Sequence, residues 1–143
     1  MFHNWQCVEM LDPWDLWNEI ASLAPSDVPL EQRPLYAIGW LRTEVNSGGF
    51  DGLFFNLGGE TVPEIVMVAR AEGRDDMAEI IERAMAVLGD TYPIDIDQRQ
   101  RVMAELSDAD RQVLRDLDEE YYDLEAAVDL DELMRAVAAR GSS

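Results

Sequence analysis

The sequence predicts an all-α protein, one compact domain over residues 1–143 with about seven helices. Apolar residues recur at three- and four-residue spacing, no stretch sustains two-residue alternation, and Pro and Gly fall where helices would begin and end. Hydrophobic residues make up 48% of the chain, enough for a real core, and this sets aside a disordered acidic tail despite the charge.

Asp12-Pro13 reads as an N-cap and first-turn proline, opening a helix to about residue 23 with Trp14, Trp17, Ile20 and Ala21 on one side. Pro25 and Pro29 end it, and Pro34 starts a second helix whose Leu35, Ile38, Leu41 and Val45 share a face. Ser47-Gly48-Gly49 predicts a stop, because Gly adopts the left-handed backbone that other residues resist. Phe50 to Leu57 reads as a short apolar helical turn closed by Gly58-Gly59. The next helix runs over 61–72 with Pro63 in its first turn and Gly73 beyond it. Asp75-Asp76 open another, carrying Met77, Ile80, Ile81, Ala84, Met85 and Leu88 on one face before Gly89. After Tyr92-Pro93 comes a helix over 97–106, and Ser107 with Asp110 resembles a capping box for the one that follows. That helix aligns Leu114, Leu117, Tyr121, Leu124 and Val128, and a last one spans 131–140. The Trp residues at 5, 14, 17 and 40 fit helix faces and are expected in the core.

Charge is the strongest compositional signal. Thirty Asp and Glu stand against eleven Arg and no Lys, for a net −19. Such a chain repels phosphates and anionic membranes and attracts basic proteins, so neither nucleic acid nor a membrane is an expected partner. Residues 105–132 hold twelve acids and only Arg111 and Arg115, so more than half the net charge lies there. On the helix from Ser107, Asp116, Glu119, Glu120 and Asp123 fall within an arc of about 100° beside the apolar stripe. Neighbours among them lie about 5–6 Å apart, comparable to successive backbone phosphates, and each close like-charge pair costs the helix roughly 0.2–0.5 kcal/mol. Asp129, Asp131 and Glu132 extend the acidic surface.

Most site chemistries find no support. Zinc needs several Cys or His ligands, and His3 and Cys7 are the only candidates. An EF-hand loop starting at Asp95 would place Gln100 and Leu106 where Gly and a bidentate acid are required. The Gly pairs lack a following Lys-Ser/Thr, and no nucleophile has a His base in a recognisable context. No enzyme, metal or cofactor is therefore expected. The lone Cys7, the absence of a cationic start followed by an apolar run, and the shortness of the apolar stretch Leu35 to Leu41 together predict a cytoplasmic protein.

Two segments resemble a known family. Glu44-Val45-Asn46-Ser47-Gly48-Gly49-Phe50, continuing through Phe54-Phe55-Asn56, is similar to the "EVNNGGF…FFYN" signature of the DNA mimic protein 19-like domain family. Leu117-Asp118-Glu119-Glu120-Tyr121-Tyr122-Asp123-Leu124, followed by Asp131-Glu132-Leu133, is similar to that family's "LD-x-x-[FY]-Y-x-L…DL-x-x-L" ending. The likeness covers roughly residues 30–135, with departures at Ser47 and at Leu57-Gly58-Gly59. It implies a bacterial all-helical fold, a homodimer, and carboxylates offered to a DNA-binding transcription factor in place of DNA. Physically, Glu44, Asn46, Gly48, Gly49, Phe50, Phe55 and Asn56 read as a helix stop followed by buried aromatics, with the Asn side chains satisfying loose backbone groups.

Three functions stay open on these grounds. In the first, Asp116, Glu119, Glu120, Asp123, Asp129, Asp131 and Glu132 bind the basic surface of a DNA-binding protein, and affinity falls with salt. In the second, an immunity- or antitoxin-like partner binds through apolar hot spots and survives salt. The third is an acidic domain adapted to a saline interior, which loses stability at low ionic strength.

Overall fold

A computed structural model describes residues 12–141, and the sequence readings at His3, Trp5 and Cys7 lie outside that range. Among the described residues there are seven α-helices and no strand: α1 Pro13–Ile20, α2 Arg33–Phe55, α3 Val62–Ala71, α4 Asp75–Val87, α5 Ile96–Ala104, α6 Asp108–Ala127 and α7 Leu130–Gly141. Short 3₁₀ turns at Pro25–Asp27, Leu30–Gln32 and Leu57–Thr61 join them.

The helix starts follow local chemistry. Asp12 accepts from Trp14 N–H at 2.9 Å, Asp95 from Gln98 N–H at 2.9 Å, and Ser107 from Asp110 N–H at 3.0 Å. Each satisfies an amide that the first turn leaves without a helical partner. Pro occupies the first turn of α1, α2 and α3, where its missing N–H costs nothing.

Helix α2 is the axis of the molecule. Its Leu35, Ala37, Ile38, Leu41, Val45, Phe50, Leu53 and Phe54 are buried, and α1, α3, α5, α6 and α7 all pack on it. Helix α6 lies between α2 and α4, burying Leu114, Leu117, Tyr121 and Leu124. Trp14, Trp17 and Trp40 stack edge to face, with centroids 5.4 and 5.1 Å apart, and fasten α1 to α2.

One sequence expectation holds and one is corrected. The helix is interrupted at the expected Ser47-Gly48-Gly49, where Gly49 takes the left-handed φ of 68° with ψ −172°, and a short helical segment follows from Phe50, so that α2 is a helix with a kink. Phe55 is not a buried aromatic. It is 54% exposed while Phe50 and Phe54 are fully buried, because successive helical side chains point about 100° apart and it follows the buried Phe54.

Helix α5 carries the largest fully buried side chain, and it is charged: Arg99. Its guanidinium donates to the carbonyls of Phe54 (2.5 Å), Asn56 (2.8 Å), Ile94 (2.8 Å) and Pro93 (3.2 Å) and lies 5.9 Å from the Tyr92 ring centroid. The cation thus sits at the carbonyl end of α2, where the helix dipole is negative. Gly59 is small for this reason: a Cβ there would come within 2.8 Å of Arg99 Nε and of the Leu53 carbonyl.

Candidate functional site

The two family-like motifs meet in space. Gly49 leaves helical geometry, and the amide after it, Phe50 N–H, takes a partner outside α2. Asp118 of α6 accepts from Phe50 N–H at 2.8 Å, and Tyr122, one turn further along α6, donates its hydroxyl to Val45 O at 3.0 Å. Asp118 therefore acts as an N-cap supplied from another helix. Burial raises its pKa, the Phe50 N–H opposes that, and the nearby Asp51 and Glu119 raise it further.

A second node lies one helical turn away along α2. Arg42 pairs with Glu125 at 2.8 Å and with Asp131 at 2.6 Å, and stands 5.2 Å from the Trp14 ring centroid. Asp131 also accepts from the Trp14 indole at 3.2 Å, and Glu125 from Tyr121 hydroxyl at 2.5 Å and the Asn46 amide at 3.1 Å. Four helices are thus tied through one guanidinium. Burial alone would push Glu125 up, but hydrogen bonds from Arg42 and Tyr121 outweigh it and hold the carboxyl below its ordinary range. For Asp131 the hydrogen bond from Arg42 leads, and its pKa is lowered as well.

Both acids have folded pKa values below their unfolded ones, so their stabilisation is complete above the ordinary carboxylate range. It is lost as pH falls through the lowered folded values. Asp118, with its raised pKa, works in the opposite sense. In Glu125→Gln, the loss of stability between pH 7 and about pH 3 should be shallower than in the wild type, measured by urea midpoints at each pH. Parallel pH profiles would show that the node contributes no such linkage.

The remaining motif residues are architectural too. Asn46 donates to Arg42 O at 2.7 Å, and Asn56 donates its amide to the Glu44 carboxylate while its N–H bonds Gly52 O at 3.2 Å. A Cβ added at Gly48 would meet nothing within 4 Å, whereas one added at Gly49 would meet Asp118 Oδ2 at 2.3 Å.

The seven acids expected to face a partner separate into groups. Asp116, Glu119 and Asp123 are exposed on α6 with no cation within 4.0 Å among the described residues; Asp116 accepts from Gln112 at 2.9 Å. Glu120 takes a bidentate pair from Arg83 of α4, at 2.8 and 2.9 Å. Asp131 belongs to the Arg42 node, and Asp129 caps α7 through Glu132 N–H (3.2 Å) with Arg135 at 3.7 Å. Glu132 is exposed beside Glu72 and Arg74. Arg33, Arg70, Arg74, Arg111 and Arg140 likewise lie within 4.0 Å of internal carboxylates. The fold thus uses most of its few cations on itself and leaves carboxylates outward on α6.

No three His, Cys, Asp or Glu side chains among the described residues converge as metal ligands. No described helix is long and apolar enough to cross a membrane. A protein-family model described as DMP19-like protein matches residues 26–140. The chain belongs to this family. The match takes in both motifs and every residue of the kink and the Arg42 node except Trp14. No curated protein and no solved structure is significantly similar to the chain.

Arg99 escaped the sequence reading. Its signal was present: with Val102, Met103 and Leu106 it occupies the three-, four- and seven-residue spacing of a core-facing stripe, a position where a charge demands internal partners.

Proposed function

We propose that this protein is a non-enzymatic, cytoplasmic DNA mimic that occupies the basic DNA-contacting surface of another protein, such as a transcription factor. The observation that carries this reading is the outward row Asp116, Glu119 and Asp123, with no ion-pair partner among the described residues while most Arg side chains are committed inside the fold. On a helix these positions rise about 1.5 Å per residue, so the row extends about 10 Å and meets Arg and Lys at phosphate-like intervals. Family membership supports the same reading. Glu120 and Asp129 reinforce the field at reduced strength because each shares its charge with an Arg.

Charge reversal tests this. Asp116→Lys, Glu119→Lys and Asp123→Lys together should lower affinity for a basic DNA-binding partner at least about 100-fold at low salt, since each removes an attraction and adds a repulsion. Partners are captured from native lysate at low and high salt, and circular dichroism confirms that the variant stays helical. Enrichment of DNA-binding proteins that elute with salt and are lost by the variant is the expected result. Equal capture by the variant would reject this face.

A further inference from the structure

On another side of the molecule, an open groove of about 480 Å³ runs between the segment Ala21–Ala24 and the turn at Leu57 and Gly58. Tyr36, Trp40 and Glu44, spaced four apart on α2, form its wall, and Asn56 lies beside Glu44. Leu23 and Leu57, at 37% and 49% exposure, are among the few large apolar side chains left in solvent, and both line this groove. The wall is rigid, because Trp40 is held edge to face against Trp17 and Tyr36, and the Tyr36 hydroxyl is anchored on Leu23 O at 2.8 Å.

Glu44 has a neutral amide partner but no cation within 4.0 Å among the described residues, although it is only partly exposed. The Trp40 indole N–H is buried without a hydrogen-bond partner among the described residues. Arg33 lies near Tyr36 but is committed to Glu64. The groove therefore combines aromatic faces, aliphatic rims and one uncompensated carboxylate in a chain of net charge −19. An anion would be repelled, and a purely apolar ligand would leave Glu44 without a counterion.

We infer that this groove receives an arginine side chain from an extended segment of the basic partner, its guanidinium on Glu44 and its stem against Trp40 and Leu57. Arginine fits better than lysine: its planar, weakly hydrated head stacks on aromatic rings and donates to a carboxylate at once, while its methylenes cover apolar surface. The volume exceeds one side chain, so an aliphatic neighbour of the arginine fills the space toward Leu23. The inference rests on the basic partner proposed above and adds a division of labour. The α6 carboxylates steer the encounter, and the groove anchors the complex.

The probe is N-acetyl-arginine-methylamide, titrated into the full chain and followed by the Trp indole and backbone amide resonances, with Trp40→Phe assigning the Trp40 signal. Saturable shifts at the Trp40 indole and the Leu57 amide are expected. Glu44→Gln keeps an acceptor for Asn56 yet should weaken binding about tenfold, and the uncharged citrulline analogue should bind about tenfold more weakly than arginine. Leu57→Ala, at an exposed position, should weaken binding without loss of helical circular dichroism. An unmoved Trp40 indole, or equal binding of the arginine and citrulline probes, would overturn the inference. The α6 triple-lysine variant separates the two ideas. Salt-sensitive capture of basic proteins with a silent groove overturns the groove alone. A groove that binds the probe in a chain that captures no basic protein overturns the proposed function instead.

Discussion

Arg99→Met should lower unfolding free energy by about 2–4 kcal/mol, because several buried carbonyls lose a charged donor. The methionine fills much of the stem's volume, so cavity formation is a minor part of the cost. What is lost is the cation on four carbonyls, those of Phe54, Asn56, Pro93 and Ile94, which then lie buried with fewer donors. These carbonyls come from the end of α2 and from the segment before α5, so the change loosens two connections at once. Arg99→Lys should fall between, because an ammonium keeps the charge but cannot span the same set of acceptors. The measurement is the urea midpoint with its slope. A shift equivalent to under about 1 kcal/mol for Arg99→Met would mean that water replaces the guanidinium without penalty.

Gly49→Ala should cost about 2–4 kcal/mol, combining a backbone region open almost only to Gly with loss of the Asp118 cap. The new Cβ would lie 2.3 Å from Asp118 Oδ2, and the backbone there has φ 68° and ψ −172°. The neighbouring substitution is the control. Gly48→Ala meets nothing within 4 Å and sits in ordinary helix, so it should stabilise by about 0.5–1 kcal/mol. Opposite signs at adjacent glycines are the signature of the kink, read by thermal or urea unfolding. If both substitutions shift stability alike, the kink is not specified by Gly49. Asp118→Ala combined with Gly49→Ala should cost less than the sum, because both remove the same hydrogen bond to Phe50.

Both large effects arise where distant segments meet, and this explains which parts of the molecule could be read from the chain alone. The helices at Asp12-Pro13, Pro63 and Ser107 were legible because a cap and a first-turn proline act within a few residues. The family pattern was legible as two motifs, but not as one joint. Nothing near Gly49 announces that Asp118, 68 residues away from the Phe50 amide, will take over its capping. The break at Gly49 was legible in the glycine pair, but not that helix resumes at once at Phe50 with its first amide capped from another helix.

The acidic surface divides along the same line. Composition and spacing on α6 determined that carboxylates would crowd one flank, since helical periodicity alone places Asp116, Glu119, Glu120 and Asp123 together. Only packing decided which of them remain available. Glu120 is claimed by Arg83 across the α4–α6 contact and Asp131 by Arg42, whereas Asp116, Glu119 and Asp123 have no arginine within 4.0 Å among the described residues. Periodicity is a property of one helix, but a counterion is a property of two, and that physical difference separates what the chain declares about its charges from what its folded form does with them.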